Sequence, residues 1–148
     1  MPGREGLGRD FNDVPTAAGV GLSLRHASAV CFVVHGVTVA AQVTITVAPS
    51  FGGTYVSPGA VISHYYTSTA ANGSVARTKA VQTNSNLVPQ TGTIAIGATA
   101  EIEVLAAMLP DPNCYIKCSV TTGTALVTAI MHDLLQQRGP ANLALAGA

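Results

Sequence analysis

Two glutamates, Glu101 and Glu103, stand in the stretch Ala100-Glu101-Ile102-Glu103-Val104-Leu105. On a strand that spacing puts both carboxylates on one face, roughly 7 Å apart. Carboxylates paired at such distances perform glycoside hydrolysis, one as acid and the other as nucleophile or base. That chemistry also needs a platform for the sugar, and no aromatic residue lies nearby. An exposed strand face accounts for the pair, so no catalytic role is assigned to it. The histidines are His26, His35, His64 and His132, and no two stand at metal-ligand spacing. His132 and Asp133 are neighbours, but neighbours on a strand point to opposite faces. Nucleophile signatures are missing: there is no Gly-x-Ser-x-Gly and no Cys–His pair in a protease-like context. Gly3, Gly6 and Gly8 neither follow a strand nor open a helix, which excludes a phosphate cradle. The chain is therefore expected not to be an enzyme, with no catalytic residue, no metal site and no cofactor.

The three cysteines, Cys31, Cys114 and Cys118, are an odd number and a poor disulfide framework. On one strand Cys114 and Cys118 would share a face about 13 Å apart, too far to bridge. All three read as small apolar side chains in a reducing compartment. Tyr55, Tyr65 and Tyr66 are candidates for an aromatic contact patch, against half-buried strand positions as the plainer reading. Asn72-Gly73-Ser74 matches a glycosylation acceptor, but no secretion signal accompanies it.

Composition points away from a free monomer. Only 9% of the 148 residues are charged, against about 25% in an average soluble domain. Hydrophobic residues make up 48%, carried by Ala, Val, Ile and Leu, with no Trp. Charge keeps a diffusing monomer from associating, so a chain this poor in it is expected to bury much of its outside against copies or a partner. Seven basic and seven acidic residues cancel, and no Lys/Arg run exists. Nucleic acid is thus not an expected partner. The longest apolar runs fall far short of the roughly 20 residues a membrane span needs. No membrane contact is expected, and folding is expected in a cytoplasm.

The elements follow from period and punctuation. Strands are predicted at 29–35, 42–47, 61–66, 74–82, 93–96, 100–105, 115–120 and 125–131. Gln42 to Val47 alternates, with Val43, Ile45 and Val47 inward and threonines outward. Asn72-Gly73 is a preferred hairpin pair. Residues 84–90 read as a polar loop, and 106–109 as one helical turn stopped by Pro110 and Pro112. His132 to Arg138 either extends the last strand or forms another. Many short strands without a long helix predict an all-β domain, first a two-sheet β-sandwich (jelly-roll or Ig-like), second a barrel.

Five of the fourteen charges lie in the first thirteen residues: Arg4, Glu5, Arg9, Asp10 and Asp13. With no strand or helix period there, residues 1–24 are expected to be an extended N-terminal arm outside the core. The sandwich is expected over 25–138 and an apolar C-terminal tail over 139–148.

Three stretches carry a resemblance. His132-Asp133-Leu134-Leu135-Gln136-Gln137-Arg138-Gly139-Pro140-Ala141-Asn142-Leu143 resembles the ending of small virion structural proteins of tailed bacteriophages, especially those of actinobacteria. Tyr65-Tyr66-Thr67-Ser68, followed by Arg77-Thr78-Lys79-Ala80-Val81-Gln82, is similar to their middle hairpin. Gly8-Arg9-Asp10-Phe11-Asn12 is similar to their start. The chain departs from them at Val75-Ala76, where a Trp would be expected. The resemblance implies a non-enzymatic β-sandwich, a minor capsid or decoration protein on the phage head surface of the virion. Its expected partners are the major capsid protein and further copies of itself, as a homotrimer. Arg4, Arg9 and Phe11 of the first arm, and Leu143 and Leu145 of the tail, are the expected partner-binding residues. A tail or head–tail joining protein is the alternative in the same class. A carbohydrate- or host-surface-binding module is the alternative from another class, with the lack of Trp against it.

Overall fold

The computed structural model describes residues 13–16, 19–59, 62–69 and 75–132. Among the described residues ten strands follow one another: β1 (Asp13–Thr16), β2 (Gly21–Ser23), β3 (Ala29–Gly36), β4 (Gln42–Ala48), β5 (Ile62–Ser68), β6 (Thr78–Ser85), β7 (Leu87–Val88), β8 (Thr99–Leu105), β9 (Tyr115–Thr122) and β10 (Ala125–His132). A 3-10 turn, Ala106–Met108, follows β8. The strands form two antiparallel sheets, one of order β1-β10-β3-β8-β5-β6 and one of order β2-β9-β4-β7. The architecture is the expected all-β, two-sheet sandwich.

Alternation explains which sheet face is inside. Strand β4 buries Val43, Ile45 and Val47, while Thr44 and Thr46 between them are only half-buried. Strand β3 buries Val30, Phe32 and Val34, and β8 buries Ala100, Ile102 and Val104. In the six-stranded sheet Phe32 stands opposite Ile102 on one side and Ala129 on the other. The four-stranded sheet contributes Leu22, Val88, Ile116 and Cys118 to the same core. Each large aliphatic side chain so buried stabilises the fold by about 1.5–3 kcal/mol relative to exposure.

Three readings of the sequence need correction. Residues 19–24 belong to the body. Strand β2 pairs with β9, and Leu22 and Leu24 lie in the core at 2% and 4% exposure. Their i, i+2 spacing is a strand signal, overshadowed by the glycines and charges before it. Strand β1 also pairs in the body, antiparallel to β10, and carries Pro15 on the sheet's edge, the place in a sheet where proline is tolerated. Second, the span read as a polar loop at 84–90 contains the end of β6 and all of β7, where Val88 is buried opposite Val43. Two residues are too few for a period to register. Third, the strand expected at 93–96 reduces to one bridge between Ile94 and Ala41.

Strands β5 and β6 pair as the expected hairpin, with an irregularity in register between Ile62 and His64. Its turn, Asn72-Gly73, lies outside the described residues. The Thr122-Gly123 turn carries the chain from one sheet to the other between β9 and β10. Gly123 has φ +74°, and a Cβ there would sit 2.1 Å from the carbonyl oxygen of Ala40. Both the dihedral and the space demand glycine at that corner.

Candidate functional site

Glu101 and Glu103 do share the outer face of the six-stranded sheet, but their surroundings differ. Glu101 stands opposite Val33 and Tyr66 and forms an ion pair with Arg77. Glu103 is exposed, opposite Cys31. The Cys31 thiol is pushed up to about 11, first by burial and then by these two carboxylates. The result is a thiol held protonated rather than an activated nucleophile.

The histidines are dispersed. His26 lies between β2 and β3, His35 near the end of β3, and His132 at the end of β10. His64 meets Tyr66 edge-on at 5.7 Å and contacts the Ser63 hydroxyl through Nδ1 at 3.1 Å. Among the described residues no group of three or more His, Cys, Asp or Glu could hold a metal ion. Asp133 lies outside the described residues, as do Arg4, Arg9, Phe11, Leu143 and Leu145.

All three cysteines are free thiols. Burial drives Cys118 up to about 12. The Cys114 sulfur accepts from Arg25 Nε at 3.3 Å and donates to the Pro49 carbonyl at 3.4 Å.

Tyr55, Tyr65 and Tyr66 do not form one patch. Tyr66 projects from the outer face of β5, Tyr65 packs against the core, and Tyr55 belongs to the other sheet's surface. The aromatic cluster that does form was not read from the sequence. Lys117 Nζ lies 4.2 Å from the centre of the Tyr55 ring. Arg25 lies 5.8 Å over Tyr115, and Phe51 meets Tyr115 at 6.4 Å. Tyr115 and Lys117 alternate on β9, so a shared face was readable. The loop that brings Phe51 and Tyr55 to that face was not.

Two further features complete the surface. Loops 36–41, 95–98 and 122–125 meet at one end of the sandwich. Gly97 N–H donates to the Gly36 carbonyl, Val37 N–H to Thr124, and Thr124 N–H to Val39. Val37, Val39, Ile96 and Leu126 are exposed there by 39%, 54%, 60% and 65%. These loops contain no charged residue. Beside β6, a cavity of about 230 Å³ opens among Tyr65, Gln82, Thr83, Pro89, Gln90 and Thr91.

No protein-family model matches the sequence, and no curated protein or solved structure is significantly similar to it.

Proposed function

We propose that the chain is a non-enzymatic virion structural protein of a tailed bacteriophage, a decoration or minor capsid protein bound to the head shell in many copies. The observation that carries this reading is the charge-free loop end, where Val37, Val39, Ile96 and Leu126 stand exposed together. Large apolar side chains grouped at one end of a charge-poor body favour association over free diffusion. The resemblance of residues 8–12, 65–68, 77–82 and 132–143 to small phage virion proteins supplies the class of assembly. In this reading copies associate as a homotrimer through that end. Residues 1–12 and 139–148 reach the major capsid protein or a neighbouring copy, with Arg4 and Arg9 toward carboxylates and Phe11, Leu143 and Leu145 toward apolar pockets. Many modest contacts acting together then hold the shell.

Co-sedimentation of the purified chain with phage heads and, separately, with tails tests the proposal. Saturable binding to heads at hundreds of copies is expected. Binding to tails alone, at a few copies, replaces the proposal with a joining protein. Binding to neither, by a stable monomer, rejects the assembly reading. The arm is tested by removing residues 1–12 only, because a longer truncation removes Leu22 and Leu24 from the core.

A further inference from the structure

The cavity beside β6 is built from two interlocked carboxamides. Gln82 Oε1 accepts from the Gln90 backbone N–H at 2.8 Å, and Gln90 Oε1 accepts from the Thr83 N–H at 2.9 Å. Each partner is an N–H donor, so each oxygen is identified and each amide nitrogen faces elsewhere. Gln82 is 9% exposed, and its Nε2 is buried with no hydrogen-bond partner. An unmet buried donor is costly, and an incoming acceptor oxygen recovers that cost.

The rest of the lining limits what that acceptor belongs to. Among the described residues no charged side chain lines the cavity, which disfavours a strongly ionic ligand. Its volume of about 230 Å³ is below the 300–1,000 Å³ of sites for drug-sized molecules, so it suits a single small ring. The half-buried Tyr65 ring supplies the apolar surface, while Pro89 beside it is itself buried. Thr83, Thr91 and the carboxamides supply polar groups around it. An extended peptide added to the edge of β6 fits less well, because the Thr83 N–H is already taken by Gln90.

We propose that this cavity binds one neutral pyranose ring of a glycan. The ring's C–H face lies on Tyr65, and a hydroxyl or acetamido oxygen accepts from Gln82 Nε2. Gln82 lines the cavity but its Nε2 is itself buried, so binding requires the Gln82 head to turn about its anchored oxygen. The inference does not depend on the head-shell reading.

The test is an NMR titration of the full-length protein with methyl glucopyranoside, methyl mannopyranoside and N-acetylglucosamine, observing the glutamine side-chain NH₂ signals. At least one sugar is expected to shift the Gln82 and Gln90 signals saturably, with a millimolar Kd. Gln82→Met keeps the side chain's length and removes its donors, and is expected to weaken binding about tenfold or more. Thr91→Val, on the exposed wall, provides a second variant that leaves the Gln82–Gln90 lock in place, and is expected to weaken binding several-fold. Absence of a saturable shift with all three sugars overturns the proposal. So does a saturable shift with an acetylated trialanine amide and none with the sugars, which makes the site a peptide site.

Discussion

Replacing Gly123 with alanine tests how the two sheets are joined. Gly123 and Gly97 have almost the same dihedral, φ +74° and φ +76°, but different surroundings. A Cβ on Gly97 meets nothing within 4 Å, whereas on Gly123 it falls 2.1 Å from the Ala40 oxygen and 2.7 Å from its carbon. Gly97→Ala therefore carries only the left-handed backbone penalty, about 1–2 kcal/mol. Gly123→Ala carries that penalty and must also push the 38–41 segment away. The segment is held by Thr124: its N–H donates to the Val39 carbonyl at 3.2 Å, and its hydroxyl accepts from the N–H groups of Thr38 and Val39 at 3.1 and 2.9 Å. Losing two of these bonds adds about 1–3 kcal/mol. The totals are about 2–5 kcal/mol for Gly123→Ala and about 1–2 kcal/mol for Gly97→Ala. The gain from restricting the unfolded chain applies to both and cancels in the comparison. Urea unfolding measures the difference, with midpoints compared at unchanged m-values. Equal midpoints for the two variants would refute the close approach of this turn to Ala40.

Ile102→Ala, at a fully buried centre of β8, is expected to cost about 2–5 kcal/mol in the same urea assay, and a loss under 1 kcal/mol would contradict its place in the core. Leu22→Ala is expected to cost about 2–4 kcal/mol; a neutral result would return residues 19–24 to the arm. Glu101→Gln removes the ion pair with Arg77, whose side chain is 60% exposed, so a change of at most about 1 kcal/mol is expected, shrinking further in high salt. Cys118 is held protonated in the fold, its pKa raised from 9.0 to about 12 by burial. The stability this contributes is complete below pH 9 and is lost as pH rises toward about 12. Urea midpoints should fall above pH 9, with a slope from this thiol of up to about 1.4 kcal/mol per pH unit that Cys118→Ala removes. A wild-type profile as flat as the variant's above that pH would contradict the burial of Cys118.

The long strands were legible because they combine alternation with β-branched residues over seven or eight positions. β3, β4, β9 and β10 begin where the sequence places them, and Val43, Ile45 and Val47 face inward as read. The short strands were not legible. β2 and β7 have three and two residues, and each exists because an already formed neighbour offers it a ladder. The Glu101–Glu103 face followed from period alone, but Arg77 reaches Glu101 across the β5–β6 hairpin, which local pattern does not encode. Gln82 and Gln90 passed unnoticed for a related reason. Eight residues apart, one closing a predicted strand and the other a predicted polar loop, they become a lock only because β6 and the chain after β7 lie side by side.

The sheet edges bear on the proposed association of copies. An open strand edge is a template for pairing with another chain, and short edge strands, proline or lysine blunt it. The four-stranded sheet ends in β2 and β7, too short to template a partner. The six-stranded sheet ends on one side in the four residues of β1, which include Pro15. Its other edge, β6, is eight residues long, but it carries Lys79, and its Thr83 N–H is capped by Gln90. Addition of further strands is thus obstructed at every edge. The loop end at Val37, Val39, Ile96 and Leu126 has no such obstruction and holds no charge to desolvate. Contact there buries apolar side chains without extending a sheet. Under the proposed association, that favours a closed set of copies over an open fibre, since a patch at one end is covered once its partners are in place.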